Sequence, residues 1–168
     1  WWLYRARFTS RDEGWAVGRD AASSSGVFLH YLNGTWKQVQ PNPTISGLWQ
    51  LADVELTSPD KGWAVGGYYH PAVFRYTKDD GDSEGVWSPV SLPGSGCQPG
   101  TLWKVSFASA DEGWAVSGVE GNCPRFYHYK DGQWSIEVPP FVSGIMYLDG
   151  VHFVNPYLGW AVGRDYEN

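Results

Sequence analysis

The chain has 168 residues, of which 42% are apolar and 18% charged, and its formal net charge is −6. The apolar content suffices for the core of one globular domain and argues against a disordered chain. The charge is spread along the chain without a basic stripe, which argues against a nucleic-acid partner. No apolar run approaches the roughly 20 residues that span a bilayer, so we predict no transmembrane segment.

The residue types favour strands and turns over helices. The chain contains 11 Trp and 10 Tyr residues together with 21 Gly and 11 Pro residues. Aromatic and β-branched residues favour strands, whereas Gly and Pro favour the turns between them. We therefore predict an all-β protein.

In chain order, each of three similar segments predicts the same four strands, labelled a to d. In the first segment, strand a shows alternating apolar residues at Ala6 and Phe8, and the turn Ser-x-Asp-x-Gly follows at 10–14. Strand b is the Trp-Ala-Val-Gly stretch, strand c is "VFLHY" at 27–31, and strand d follows a Gly-x-Trp turn at 34–36. Alternation with period two is typical of strands, and short polar side chains with Gly are typical of turns.

The spacing of the Gly-Trp pairs predicts the architecture. They begin at Gly14, Gly62, Gly113 and Gly159, so successive pairs are 48, 51 and 46 residues apart. Blades of β-propellers repeat at about 40 to 50 residues and contain four antiparallel strands. We therefore predict a β-propeller.

The repeats predict three complete blades and half of a fourth. Blades 1, 2 and 3 cover residues 3–40, 51–93 and 101–140, and blade 4 covers residues 147–164 with strands a and b only. Because a closed ring needs four to eight blades, we predict a partial ring whose open end exposes an aromatic sheet face. We expect the remainder of a longer propeller chain, or a protein partner, to complete the ring.

Tryptophan recurs at one position in strand b and at one position in strand d. One recurring pocket, the layer between adjacent blades, explains a residue type that recurs in this way. We therefore predict that the following indoles belong to the core: Trp15, Trp36, Trp63, Trp87, Trp114, Trp134 and Trp160. In strand c, His30 and His128 share one position with Arg75 and are predicted to lie on the blade surface.

The combination of Ser-x-Asp-x-Gly-Trp-Ala-Val-Gly, a strand ending on Tyr and an Asn/Asp-Gly-x-Trp turn resembles the sialidase-like β-propeller superfamily with Asp-box (BNR-type) repeats. It looks closest to the branch that contains the photosystem II stability and assembly factor and secreted bacterial repeat proteins. The resemblance covers nearly the whole chain and implies a propeller fold. In that family the Asp-box turn lies between strands c and d, whereas here Ser-x-Asp-x-Gly lies between strands a and b.

The same superfamily contains sialidases, so the resemblance also implies sialidase activity as a candidate function. Sialidases use three arginines, a Tyr nucleophile with a Glu partner, and an acid/base Asp. The sequence does not assemble that set, because the recurring Asp residues are explained by turns and four arginines lie within predicted strands: Arg5, Arg7, Arg75 and Arg125. An active site is made of residues that occur once. We therefore predict a non-catalytic scaffold for protein or glycan binding. One alternative is an assembly or accessory subunit of a larger complex, either soluble or membrane-bound. The other alternative is a sialidase-like glycosidase.

Blade 2 has a longer turn between strands c and d than its neighbours. The extra residues form "KDDGDSEG", in which Asp80, Asp82 and Glu84 alternate as the oxygen ligands of a Ca²⁺ loop do. They predict a calcium site. The alternative is a solvated acidic hairpin, because Ser91 stands where an EF-hand has its closing Glu.

The b–c and d–a loops of a propeller emerge on one face, where ligands often bind. In the b–c loop of blade 2, Tyr68, Tyr69 and His70 are the predicted recognition residues, since aromatic side chains at a loop tip suit sugar or protein contact. The alternative is that these side chains fold back over the blade.

Both cysteines lie in polar, Gly/Pro-rich loops on that same face. Cys97 is in a d–a loop and Cys123 is in the b–c loop of the next blade, which favours a disulfide between them over two unpaired thiols. The first residues, "WWLYRARF", lack an initiator Met and the core of a signal peptide, which predicts a processed or partial chain. We expect an extracellular, periplasmic or cell-surface protein.

Overall fold

The computed structural model describes residues 1–44, 49–68, 70–82, 84–94, 100–117, 126–137 and 146–165. All regular secondary structure in these ranges is β-strand, which confirms the predicted all-β class. No helix among the described residues is long and apolar enough to cross a membrane.

The described residues form fourteen strands in four antiparallel sheets. Blade 1 contains β1 (Trp2–Phe8), β2 (Glu13–Asp20), β3 (Ser25–Leu32) and β4 (Thr35–Val39). Blade 2 contains β5 (Leu51–Ser58), β6 (Lys61–Gly67), β7 (Pro71–Thr77) and β8 (Val86–Val90). Blade 3 contains β9 (Leu102–Phe107), β10 (Glu112–Ser117), β11 (Phe126–Lys130) and β12 (Gln133–Glu137). Blade 4 contains β13 (Met146–Asn155) and β14 (Leu158–Asp165).

The sheets form a partial propeller of three and a half blades. Within each sheet every strand pairs with the next strand in the chain, in the order a-b-c-d for the three complete blades. Strands a of successive blades contact one another, β1 with β5, β5 with β9 and β9 with β13. Strand a is therefore the inner strand of each blade and lines the axis.

The turn between strands a and b depends on a side-chain acceptor at its first position. In blade 1, Ser10 Oγ accepts a hydrogen bond from the backbone N–H of Asp12 at 3.1 Å, and the equivalent bond measures 3.3 Å in blades 2 and 3. In blade 4, Asn155 Oδ1 accepts from the backbone N–H of Tyr157 at 2.9 Å. The fourth copy therefore forms the same turn without Ser and Asp, because Asn supplies an equivalent acceptor.

The core lies between neighbouring blades. Trp15 of blade 1 is buried, and its ring centre lies 5.1 Å from that of Tyr76 and 5.4 Å from that of Trp87, both in blade 2. Trp63 of blade 2 makes the same two contacts with blade 3, at 4.6 and 5.4 Å. At both of these interfaces the strand-b Trp thus packs against the Tyr of strand c and the Trp of strand d in the next blade.

The prediction that all seven recurring indoles are buried is correct for five and wrong for two. The buried ones are Trp15, Trp63, Trp87, Trp114 and Trp134. Trp36 is 43% exposed and Trp160 is 56% exposed. Trp36 lies on the face of blade 1 that points away from blade 2, and Trp160 lies on the face of blade 4 that points away from blade 3. Their burial requires a neighbouring blade that the described part of the chain does not place there.

The predicted surface position of His30 is also wrong. His30 is buried, and its ring stacks on Trp15 with centres 4.3 Å apart and planes 10° from parallel. His128 stacks on the strand-b Trp of blade 3 in the same way at 4.4 Å, and the Arg75 guanidinium lies 5.7 Å from that of blade 2. The strand-c side chain therefore covers one face of the indole while the next blade covers the rest.

Candidate functional site

Every inner strand contains a β-bulge at the same position. In the β1–β2 ladder, Leu3 and Arg5 have partners in β2, and the register skips Tyr4 between them. The equivalent skipped residues are Ala52 in β5, Trp103 in β9 and Asp149 in β13. A bulge bends its strand and changes the direction of a side chain relative to the regular ladder. The fold therefore places one irregular residue of each blade at the axis.

The four bulged residues line a single hollow of about 250 Å³, together with Lys104. Each bulge lies near the first residue of its inner strand, which is the end of the blade from which the b–c and d–a loops emerge. The hollow thus opens on the propeller face where ligand contact was predicted.

The bulged position differs between the blades, although its neighbour does not. Directly before the bulge, all four blades have Leu, and three of these side chains are buried: Leu51, Leu102 and Leu148. At the bulge, Tyr4 is 43% exposed and Trp103 is 38% exposed. The Leu residue is therefore packed between blades in blades 2, 3 and 4, whereas the variable residue after it lines the hollow in all four blades.

A buried carboxylate behind the hollow links the inner strands of blades 1, 2 and 3. Asp53 Oδ1 lies 3.0 Å from Arg5 Nε and accepts from the backbone N–H of Val54 at 3.1 Å. Asp53 Oδ2 accepts from the backbone N–H of Val105 in blade 3 at 3.3 Å. Burial raises the pKa of Asp53, although Lys104, Arg5 and the two N–H groups favour the charged form.

A second ion pair joins the inner strands of blades 1 and 2, β1 and β5, further along the axis. Arg7 Nε donates to Glu55 Oε2 at 3.3 Å. Burial raises the pKa of the Glu55 carboxyl, and the charge of Arg7 opposes this shift. The inner strands therefore carry two carboxylates that hold a proton more readily than exposed ones do.

We expect Asp53 and Glu55 to make stability decrease with rising pH in the window directly above their ordinary pKa values of 3.8 and 4.5. Both values are raised in the folded chain, which therefore binds these protons more tightly than the unfolded chain does. Their contribution to stability is complete below the ordinary values and is lost as pH rises through the raised ones. Urea unfolding of the wild type and of Asp53→Asn/Glu55→Gln, from about pH 4 to about pH 7, measures the effect. The free energy of unfolding of the wild type, minus that of the variant, should fall with pH; a rising difference would contradict the prediction.

Two of the predicted recognition residues in blade 2, Tyr68 and His70, lie at the same end of the propeller but not in the hollow. Tyr68 and His70 are exposed on either side of a position outside the described residues, and Gly67 turns the chain there with φ of 119°. Thr101 Oγ1 donates to the carbonyl oxygens of Gly67 and Tyr68 at 3.4 Å. This bond ties the b–c loop of blade 2 to the start of blade 3.

The predicted calcium ligands do not converge. Asp80 and Asp82 are exposed in the c–d turn, whereas Glu84 points to blade 1, where Lys37 Nζ donates to its Oε2 at 2.9 Å. His30 Nδ1 lies 3.8 Å from the other oxygen of Glu84. Across the described residues, no group of three or more His, Cys, Asp or Glu side chains could hold a metal ion. The calcium site stays a prediction.

Three predicted site residues lie outside the described residues: Tyr69, Cys97 and Cys123. The disulfide and the part of the recognition loop that Tyr69 forms therefore stay predictions.

Sequence reasoning did not single out the residues of the hollow. Its signal is present nonetheless, because aligning the repeats on the Leu of strand a places four unlike residues at the next position: Tyr4, Ala52, Trp103 and Asp149. The alternating pattern of strand a does not show that these four side chains face the axis. The bulge that turns them there depends on the pairing of strand a with strand b.

The chain was compared with protein-family models, with curated proteins and with solved structures. No family model, no curated protein and no solved structure matches it.

Proposed function

We propose that this chain is a non-catalytic β-propeller scaffold that binds a glycan or a protein surface, and that the axial hollow binds a glycan. The main support is the repeated bulge, which turns one side chain of each blade into a shared hollow and leaves Tyr4 and Trp103 partly exposed there. We also propose that the chain belongs to the sialidase-like superfamily and is exported or displayed at the cell surface.

The hollow combines the two kinds of contact that a sugar ring offers. Trp103 and Tyr4 present flat apolar surfaces, which suit the C–H face of a sugar. The Lys104 ammonium can donate hydrogen bonds to hydroxyl groups, and the Asp149 carboxylate can accept them. A volume of about 250 Å³ lies just below the range typical of small-molecule pockets, roughly 300 to 1,000 Å³. The hollow therefore suits a single sugar ring at the end of a chain.

The partners of the inner carboxylates support a structural role for them. Asp53 is almost fully buried, accepts hydrogen bonds from blades 2 and 3 and forms an ion pair with Arg5 of blade 1. Glu55 accepts a hydrogen bond from Arg7. A general acid or nucleophile must instead reach its substrate. These bonds favour a scaffold over an enzyme.

Each of two alternatives is favoured by one observation. The raised pKa values of Asp53 and Glu55 next to the axis favour a sialidase-like glycosidase, since perturbed carboxyl groups are common at active sites. The exposed aromatic side chains at both ends of the arc, which is the partial ring formed by blades 1 to 4, favour an accessory subunit that packs on a larger complex.

Binding of the labelled chain to a printed array of neutral and acidic oligosaccharides tests the proposal. The array identifies the glycan, and titration calorimetry then measures its affinity for Trp103→Ala. We expect the affinity to fall by about tenfold or more, because an aromatic anchor of a binding site contributes over 1 kcal/mol.

The control for this test is Tyr157→Ala. Tyr157 is 97% exposed on the a–b turn of blade 4, at the opposite end of the blade from the hollow, and its loss should leave the affinity unchanged. An array without bound chain, or a Trp103→Ala variant that binds as tightly as the wild type, would refute glycan binding in the hollow. Cleavage of the glycan, detected by mass spectrometry, would refute the non-catalytic scaffold and support the sialidase-like glycosidase.

A further inference from the structure

The two free faces of the arc carry the two complementary halves of the interface that joins the blades. The acceptor face is the side of blade 1 that points away from blade 2, and it presents Phe8, Tyr31 and Trp36. The donor face is the side of β14 that points away from blade 3, and it presents Trp160 and Val162. Neither face belongs to the hollow, so contacts made through them do not depend on the ligand of the hollow.

The filled interface between blades 2 and 3 shows what an acceptor binds. Trp63 of blade 2 stacks on Phe107 with ring centres 5.5 Å apart and planes 8° from parallel. Its ring also contacts Tyr129 at 4.6 Å and Trp134 at 5.4 Å. These three rings of blade 3 form the pocket of one strand-b indole.

The acceptor face of blade 1 has the same three ring types at the same positions of the repeat. The ring centres lie 5.5 Å apart for Phe8 and Tyr31, 6.0 Å for Phe8 and Trp36, and 5.1 Å for Tyr31 and Trp36. The corresponding distances in the filled pocket of blade 3 are 5.7, 6.2 and 5.3 Å. Each pair differs by 0.2 Å, so blade 1 already has the geometry that holds an indole.

The donor face carries the side chains that fill such a pocket elsewhere in the chain. Trp160 and Val162 are 56% and 63% exposed, whereas their counterparts in the complete blades are all buried: Trp15, Val17, Trp63, Val65, Trp114 and Val116. β14 has the same Gly-Trp-Ala-Val-Gly sequence as β2. The same residues are thus exposed only where the described residues place no further blade against them.

We infer that a second copy of this chain covers these faces, with Trp160 of one copy inserted between Phe8, Tyr31 and Trp36 of the next. Within one molecule the two faces do not meet, since Phe8 is 53% exposed and Trp160 is 56% exposed. The contact continues the blade-to-blade interface that already exists twice in the chain. The contact joins the donor face of one copy to the acceptor face of the next. Each added copy therefore leaves one donor face and one acceptor face free for further copies until a ring closes.

Sedimentation velocity of the 168-residue chain, from about 1 to about 100 μM, tests this inference. We expect the wild type to form dimers and larger species as concentration rises. Trp160→Glu should block the donor face and Trp36→Glu the acceptor face, each raising the concentration for half-association by about thirtyfold or more. The side chains replaced are exposed, and Val162→Glu repeats the donor test at a second position.

Mixing the two variants separates this contact from other modes of association. Trp160→Glu keeps an intact acceptor face and Trp36→Glu keeps an intact donor face, so the mixture should form a 1:1 complex and nothing larger. Tyr157→Glu, which changes an exposed aromatic side chain outside both faces, should associate as the wild type does. A monomeric wild type, variants that still self-associate alone, or a mixture that stays monomeric would overturn the inference.

Discussion

Replacing Trp87 with Ala is expected to lower the free energy of unfolding by about 3–5 kcal/mol. Trp87 is fully buried between blades 1 and 2, where it stacks on Phe28 at 4.7 Å and meets the edge of Trp15 at 5.4 Å. Truncation removes these contacts and leaves a cavity between two sheets, each held by its own hydrogen bonds. Urea unfolding followed by circular dichroism measures the loss.

Trp36→Ala is the matched control, because Trp36 occupies the same strand-d position in blade 1 but is half exposed. It should cost about 1 kcal/mol or less when measured where sedimentation shows a monomer. Equal losses for the two variants would mean that burial between blades is not the source of the stability that Trp87 provides.

Replacing Asp53 with Ala is expected to lower the free energy of unfolding by about 2–4 kcal/mol. The variant removes the acceptor of the Val54 and Val105 N–H groups and the partner of Arg5. Asp53→Asn should cost less than Asp53→Ala, because the amide oxygen still accepts a hydrogen bond. The raised pKa of Asp53 supports this order. It shows that the desolvation of the charged carboxylate outweighs the stabilisation by its partners, and the neutral amide of Asn avoids that desolvation.

Asp149→Ala provides the control for the buried carboxylate. Asp149 also belongs to an inner strand, but its side chain is half exposed, and its Oδ2 lies 3.5 Å from Arg164 Nε. Its loss should change the free energy of unfolding by about 0.5 kcal/mol or less. If Asp53→Ala is no more costly than this control, the buried carboxylate does not hold the three inner strands together.

The local elements of the fold could be predicted because their causes lie within a few residues. The Gly-Trp-Ala-Val period gave the blades their spacing, and the Ser10 acceptor gave the a–b turn, since both depend on neighbours in the sequence. The environment of His30 could not be predicted in this way. Its ring lies under Trp15 of the paired strand and near Glu84 of the next blade, 54 positions along the chain.

The sequence by itself determined that the chain folds into three and a half antiparallel blades, because strand alternation, turn chemistry and repeat spacing are local and occur in every copy. Only the tertiary structure decided which copies of a repeated residue are buried. Trp15 and Trp160 have the same neighbours in sequence, yet of the two only Trp15 has a following blade among the described residues to pack against. The tertiary structure also decided where the candidate site lies, since a bulge in strand a depends on its pairing with strand b, and a hollow requires four blades around one axis.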